Sequence, residues 1–267
     1  MRALALAALL AVPAAAKEAP ALVFLSDGKP VLRLTAAQMA GRSDARTIEL
    51  EDPFYGRAKR YRAVPLRDLL TAAYGADWVE DGVGDYFFSS LDGYRAHARV
   101  ARLTEDGAML AFADAGAPGW ETLPGRGAQT PGPFYLVWLG EDQTPKAGYP
   151  WPWQIVSIEP ALVEDAFPAA VPRGAPADSP AGRGWAIFRD RCLSCHSMSG
   201  DGGTVGPDLN DPRGITRYRR PKILKAFIRQ ASSFRRTKMP DFTDLSPRDL
   251  DDLLAYFTWM TRQDGTK

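Results

Sequence analysis

The sequence predicts an α+β fold in two domains, a β-rich N-terminal domain followed by an all-α C-terminal domain. Turn-forming residues separate short apolar runs in the first 165 residues, which is typical of strands joined by hairpins. Apolar residues recur at helical spacing in the last third of the chain. Residues 167–180 lie between the two parts and are rich in proline, as expected of a stiff, extended linker.

Composition and charge agree with two globular units. The 267 residues are enough for one large domain or two modest ones, and 45% of them are hydrophobic and 24% charged. The net charge of +1 conceals an asymmetry, because residues 17–165 carry a net charge of −6 and residues 181–267 carry +6. This difference indicates two units with different surfaces.

The N-terminal part shows eight segments with strand-like composition and one segment with helical spacing. The pair Asp92-Gly93 favours a tight hairpin turn between two of the strands. The predicted helix covers residues 65–73, and Gly75 ends it. The predicted strands are residues 21–25, 31–34, 47–51, 59–64, 86–90, 94–100, 134–139 and 154–158.

Three helices are predicted in the C-terminal part. The first begins at Ser179-Pro180, a capping serine followed by proline at the first helical position. The second covers residues 221–232, and the third begins at Ser246-Pro247. We expect the first helix to cross the last one closely through the face that carries Gly184 and Phe188.

The first 16 residues have the pattern of a cleaved secretory signal peptide. Arg2 supplies a positive charge, a short Ala/Leu run follows, and Ala14-Ala15-Ala16 suits cleavage. The apolar run is shorter than the roughly 20 residues that span a bilayer. We therefore predict export to the periplasm, with mature domains at residues 17–166 and 181–267.

Both cysteines of the chain lie in one run, Cys192-Leu193-Ser194-Cys195-His196. This C-x-x-C-H spacing is the attachment signature of a c-type haem, in which two thiols bind one haem and the histidine is an axial iron ligand. Such haem is attached outside the cytoplasm, which agrees with the signal peptide. We predict one covalent haem c and no disulfide, because Cys192 and Cys195 are both used.

The second axial position of the iron needs another soft or nitrogen ligand. His97 lies in the other predicted domain, and Met198 is too close to His196 to reach the opposite side of the haem. Met260 lies in the last predicted helix, where a core position is the alternative. Met239 lies in a loop before a proline that can fix its sulfur pointing inward, so we predict Met239 as the ligand.

Two other interpretations of the motif are disfavoured. A zinc site would need a fourth ligand, and His97 is the remaining candidate. A thioredoxin-like redox pair would need a strand–helix–strand setting, whereas this motif follows a predicted helix.

Residues 181–267 resemble class I c-type cytochromes. The resemblance rests on the C-x-x-C-H motif, on Gly206-Pro207-Asp208-Leu209 after it and on the KMPDF segment before the last helix. It implies that the Pro207 carbonyl accepts a hydrogen bond from the His196 imidazole. A haem ligated by His196 and Met239 has no open position for a substrate, so single-electron transfer is the expected role.

The stretch from Arg213 to Lys238 contains ten Lys and Arg residues and no acidic residue. A solvated helix surface explains this pattern without any function. Alternatively, the stretch docks an acidic redox partner, which charge complementarity would steer toward the haem. The acidic N-terminal domain of the same chain is a further candidate partner, whereas nucleic acid is not expected for an exported protein.

Residues 21–165 resemble the sulfite-oxidase-type molybdopterin-binding fold, through residues 61–70, 91–94, 133–138 and 153–159. Enzymes of that family bind molybdenum through a cysteine thiolate, and this domain has no cysteine. We therefore do not expect molybdopterin and interpret the domain as a module for docking, haem shielding or binding another ligand.

His97 is predicted to share a strand face with Arg95 and Arg99. Three such side chains could bind an anion. A solvated polar face is the simpler interpretation.

Taken together, these patterns predict a periplasmic monohaem cytochrome that carries electrons between a redox enzyme or respiratory complex and an acceptor. One alternative is an enzyme whose N-terminal domain oxidises a small substrate and passes electrons to the haem; a metal or cofactor bound there would distinguish it. Another is an accessory or assembly subunit of a respiratory complex, which would co-purify with membrane proteins.

Overall fold

The computed structural model describes residues 19–80, 84–237 and 239–264, and the predicted signal peptide lies outside the described residues. The strands are β1 (Ala21–Ser26), β2 (Lys29–Thr35), β3 (Arg46–Asp52), β4 (Arg57–Pro65), β5 (Asp85–Ser90), β6 (Arg95–Arg99), β7 (Ala108–Asp114), β8 (Tyr135–Trp138), β9 (Ile155–Ala161), β10 (Ser197–Met198) and β11 (Asp201–Gly202). The helices are α1 (Ala36–Ala40), α2 (Leu66–Tyr74), α3 (Val100–Leu103), α4 (Val163–Ala166), α5 (Pro180–Arg191), α6 (Ile215–Tyr218), α7 (Pro221–Arg229) and α8 (Pro247–Asp264). Within these described ranges, no helix has both the length and the apolar character needed to span a membrane.

Two sheets form the N-terminal domain. The four-stranded sheet has the order β3-β4-β7-β8 and is antiparallel. The five-stranded sheet has the order β2-β1-β9-β5-β6, in which β1 and β9 run parallel. Both sheets contribute to one apolar core: Phe24 and Phe88 come from the five-stranded sheet, Tyr61 and Leu136 come from the four-stranded sheet, and all four are fully buried.

The eight predicted strands and the predicted helix of this domain are confirmed, with small differences at their ends. Leu66, Leu69 and Leu70 on α2 face the core as the helical spacing predicts. Strand β7 has no counterpart among the predicted strands. Its side chains are buried on both faces, so its sequence lacks the alternation that identifies a half-buried strand.

The predicted fold class is wrong in two respects. The N-terminal domain is a mixed α+β unit with two sheets and not the expected sulfite-oxidase-like fold. The segments that suggested that fold correspond to β4 with α2, the β5–β6 turn, β8 and β9. Such patterns specify strands and turns but not the order of strands in a sheet. The C-terminal domain is helical but not all-α, because β10 pairs with β11.

The predicted linker, residues 167–180, forms turns that pack along α8. The Tyr256 hydroxyl donates a hydrogen bond to the carbonyl of Ala170 at 2.7 Å, and the Trp259 indole donates to the carbonyl of Arg173 at 3.3 Å. Ala170 is fully buried. The segment is therefore attached to α8 at Ala170 and Arg173.

Helices α5 and α8 cross at Gly184, as predicted. A Cβ atom at this position would clash with the Asp252 carbonyl oxygen and lie 2.8 Å from the Cβ of Tyr256. One turn further along α5, the rings of Phe188 and Tyr256 pack with their centroids 5.1 Å apart. Arg183 donates two hydrogen bonds to the Asp252 carboxylate, at 2.7 and 2.8 Å. These contacts set the position of α5.

We expect the substitution Gly184→Ala to lower the free energy of unfolding by about 1–3 kcal/mol, because the added methyl group overpacks the crossing. Urea unfolding of the purified chain measures this change. The matched control is Gly119→Ala, where an added Cβ has no atom within 4 Å. Equal stability of the two variants would contradict the role given to the crossing.

Candidate haem site

Helix α5 presents the C-x-x-C-H motif at its carboxyl end. Ser179 caps the helix, which ends at Arg191. Beyond this end, the amides of Cys195 and His196 both donate hydrogen bonds to the carbonyl of Cys192, at 3.0 and 2.8 Å. The motif therefore forms a tight turn, and both of its thiols are free.

The two thiols lie in an environment that keeps them protonated. Burial raises the pKa of Cys192 to about 12, and the nearby Arg191 guanidinium only partly opposes this effect. Burial also raises the pKa of Cys195, against opposing effects of Tyr94 and Arg126 in the N-terminal domain. Redox-active cysteines are instead thiolates with a lowered pKa, so the environment disfavours a thioredoxin-like redox pair.

The His196 ring is held by the loop that follows the motif. Its Nδ1 atom lies 2.8 Å from the carbonyl oxygen of Pro207, and since a carbonyl only accepts, Nδ1 carries the hydrogen. Nε2 therefore keeps a lone pair that can bind a metal ion. Burial lowers the pKa of His196, against the opposing effects of Pro207 and Asp208, which favours the neutral ring. A Cβ at Gly206 would clash with the ring.

The Asp208 carboxylate organises this loop, a role that sequence patterns do not reveal. It accepts hydrogen bonds from the backbone amides of Gly200, Asn210 and Asp211 at 2.7, 2.7 and 2.9 Å. Burial alone would raise the pKa of Asp208, but the N–H groups around it outweigh burial and lower the pKa. The loop that positions Pro207 is thus built around an ionised carboxylate.

Among the three candidate methionines, Met239 is the one that lies outside the core. Met198 and Met260 are 0% and 2% exposed, whereas Met239 is half-buried at the edge of the C-terminal apolar cluster. The Met239 amide donates a hydrogen bond to Oγ1 of Thr237 at 3.1 Å. Lys238 lies outside the described residues. This placement leaves Met239 available as the second ligand.

Arg191 connects the motif to the segment that carries Met239. Its guanidinium donates a hydrogen bond to the Asp244 carboxylate at 2.8 Å and lies 5.3 Å from the centroid of the Phe242 ring. Arg191 directly precedes Cys192, while Phe242 and Asp244 follow Met239. The contact therefore joins the two segments that carry the predicted haem ligands.

Two free thiols, a histidine with an available Nε2 and a half-buried methionine fit the requirements of a c-type haem. Residues 179–257 match the family model described as cytochrome C oxidase, cbb3-type, subunit III. This match supports a c-type cytochrome domain in the C-terminal part of the chain. A domain of this kind implies haem c and suggests electron transfer.

No curated protein matches the chain. The residues matched by the family model do not include the N-terminal domain, and the resemblance of that domain to the sulfite-oxidase fold has no support.

The structure does not bring His97, Arg95 and Arg99 together as an anion site. His97 is buried, which lowers its pKa to about 4, so the expectation of a solvated face is wrong for this residue. Arg99 donates a hydrogen bond to Asp190 at 3.1 Å, and Arg95 lies 3.8 Å from Glu159. Each arginine is therefore paired with a carboxylate.

We expect Asp208→Asn to lower the free energy of unfolding at pH 7 by about 1–3 kcal/mol, because hydrogen bonds to a charged acceptor are replaced by weaker ones. The folded-state pKa of Asp208 lies below its ordinary value of 3.8. The stability from ionisation is therefore present above pH 4 and is lost as the pH falls through the folded-state pKa. Urea unfolding at pH 7, 5 and 3 measures this loss.

The control for Asp208 is Asp211→Asn, three residues away, where the side chain is exposed. The difference between wild type and Asp208→Asn should shrink at pH 3, while Asp211→Asn stays close to wild type throughout. A difference that is independent of pH would contradict the account.

Proposed function

We propose that this chain is a periplasmic electron carrier whose C-terminal domain holds one haem c. Cys192 and Cys195 attach it covalently, and His196 and Met239 are the axial ligands. The haem, when bound, supplies reversible one-electron transfer. The observation that carries the proposal is the Nδ1–carbonyl contact between His196 and Pro207, because it directs Nε2 to the ligand role in a cytochrome domain.

The proposed docking surface for an external partner is the basic face, formed by α6, α7 and the loop after them. Its exposed cations include Arg213, Arg219, Arg220, Lys222, Arg235 and Arg236. Exposed apolar side chains lie among them in sequence: Tyr218, Ile223 and Phe234, each close to half exposed. Apolar contact area among like charges suits a transient complex with an acidic partner.

Three other cations of the same stretch serve the structure instead. Arg217 donates a hydrogen bond to the carbonyl of Thr261, Lys225 pairs with Asp251, and Arg229 donates to the carbonyl of Leu245. These bonds hold α6 and α7 against α8 and the segment before it. The interpretation as a solvated helix face is therefore incomplete, because these three cations also hold helices together.

In this proposal the partner at the basic face is an acidic redox protein or a respiratory complex, and the N-terminal domain docks on the cytochrome domain of its own chain. A second candidate is an accessory subunit of such a complex. The description of the matched family as an oxidase subunit favours that candidate, although the match covers the cytochrome domain alone. Association with membrane proteins during purification would distinguish it from a freely diffusing carrier.

The axial ligand is tested by replacing methionines in protein made in a host that attaches haem covalently. We expect Met239→Leu to abolish the long-wavelength absorption band of methionine-ligated ferric haem and to lower the reduction potential, because methionine ligation raises it. Met260→Leu, a volume-conserving change in the core, is the control and should keep both properties. Loss of the band in the control variant alone would reject Met239.

The basic face is tested by adsorption of the protein to an electrode coated with a carboxylate-terminated monolayer. Wild type should adsorb at low ionic strength and desorb as salt approaches about 0.15 M, where the Debye length is roughly 8 Å. The triple variant Arg219→Glu, Arg220→Glu, Lys222→Glu should adsorb much less. Lys29→Glu, an exposed change in the other domain, is the control. Equal adsorption of both variants would argue against this face.

A further inference from the structure

The two domains share an interface along α5. Arg99 on β6 donates a hydrogen bond to Asp190 at 3.1 Å, and Arg189 donates to Glu164 on α4 at 3.0 Å. Phe87 on β5 is buried in the C-terminal apolar cluster. These contacts fix the N-terminal domain against the helix that carries the C-x-x-C-H motif.

Tyr94 extends this interface to the motif itself. It follows the Asp92-Gly93 turn directly, and its amide donates a hydrogen bond to the Asp92 carboxylate at 3.0 Å, which fixes its backbone. Its hydroxyl lies beside the side chains of Ser194 and Cys195. Burial of this side of the ring is the main cause that raises the pKa of Tyr94.

Arg126 approaches Cys195 from another loop of the N-terminal domain. Its guanidinium lies 4.7 Å from the centroid of the Trp153 ring, which packs edge-on against Phe54 at 4.8 Å. The positive charge is close enough to Cys195 to affect the pKa of its thiol. Ser90, on the strand before the Tyr94 turn, donates a hydrogen bond to the Trp153 carbonyl at 2.6 Å. The β5–β6 hairpin and the loops that carry Arg126 and Trp153 therefore converge on one side of the C-x-x-C-H motif.

We propose that the N-terminal domain is a fixed cap over the Cys195 side of the haem site, with Tyr94 as the positioning residue that closes it. This inference rests on the proposed haem attachment at Cys195. The cap excludes water and external redox proteins from this side, so partners approach from the basic face.

Charge supports a docked arrangement of the two domains. The N-terminal residues 17–165 carry a net charge of −6, and the C-terminal residues 181–267 carry +6. Opposite charges favour association of two such surfaces. The pair Arg189–Glu164 follows this polarity, whereas the pair Arg99–Asp190 reverses it locally. Such pairs fix the register of the interface.

The cap is tested by amide hydrogen exchange on the haem-loaded full chain, read out for residues 90–94 and 192–196. Tyr94→Phe removes the hydroxyl but keeps the ring, and we expect roughly threefold to tenfold faster exchange in both segments. Tyr149→Phe is the matched control, because it also removes a hydroxyl hydrogen bond, at 2.6 Å to Glu105, elsewhere in the same domain. It should leave both segments unchanged.

A charge swap tests the docking of the whole domain. Arg99→Asp places two carboxylates together and should speed exchange in residues 192–196 and reduction of the haem-loaded protein by ascorbate. The double variant Arg99→Asp, Asp190→Arg restores an opposite-charge pair and should return both rates toward wild type. Rescue of this kind separates a docking role from a general loss of stability.

Unchanged exchange and unchanged ascorbate reduction in both Tyr94→Phe and Arg99→Asp would overturn the cap while leaving the electron carrier intact. Failure of the chain to acquire covalent haem would instead reject the proposed function. In that case, amide exchange of residues 192–196 measured on the haem-free chain would still test the role of Tyr94.

Discussion

The close crossing of helices α5 and α8 is the contact on which the rest of the structure depends. Glycine at position 184 lets the two backbones approach, and the Arg183–Asp252 pair fixes their register. The motif begins directly after α5, so the angle of this helix sets where Cys192 and His196 lie. The segment between the domains packs along α8 and supports the same helix pair.

Helix α5 also explains how one chain combines two different domains. One part of its surface packs on α8, while Arg189 and Asp190 contact the N-terminal domain. The cytochrome domain therefore has a side covered by its own chain and a basic face left exposed. Around the ligands, Asp208 fixes the loop that holds Pro207, and Arg191 ties the motif to the Met239 segment. These contacts lie between residues of the chain itself and position the predicted haem ligands.

Local patterns predict most of the secondary structure and the residues of the haem motif, because turns, caps and cysteine spacing act over a few residues. They do not predict contacts between distant segments. Tyr94 and Cys195 are about a hundred residues apart, and Asp208 acts through backbone amides that carry no sequence signal. The sulfite-oxidase resemblance is misleading for the same reason, since strand patterns do not determine sheet order. His97 is buried by packing against α5 and not by its own strand pattern.

Metal content per chain, measured together with the intact mass after production in a host that matures c-type haem, tests the central claim most directly. The account predicts one iron per chain, no stoichiometric molybdenum or copper, and a mass increase of one haem that survives denaturation. A chain that lacks iron, or whose haem is released on denaturation, would contradict attachment through Cys192 and Cys195. Stoichiometric molybdenum would instead make the N-terminal domain a catalytic unit.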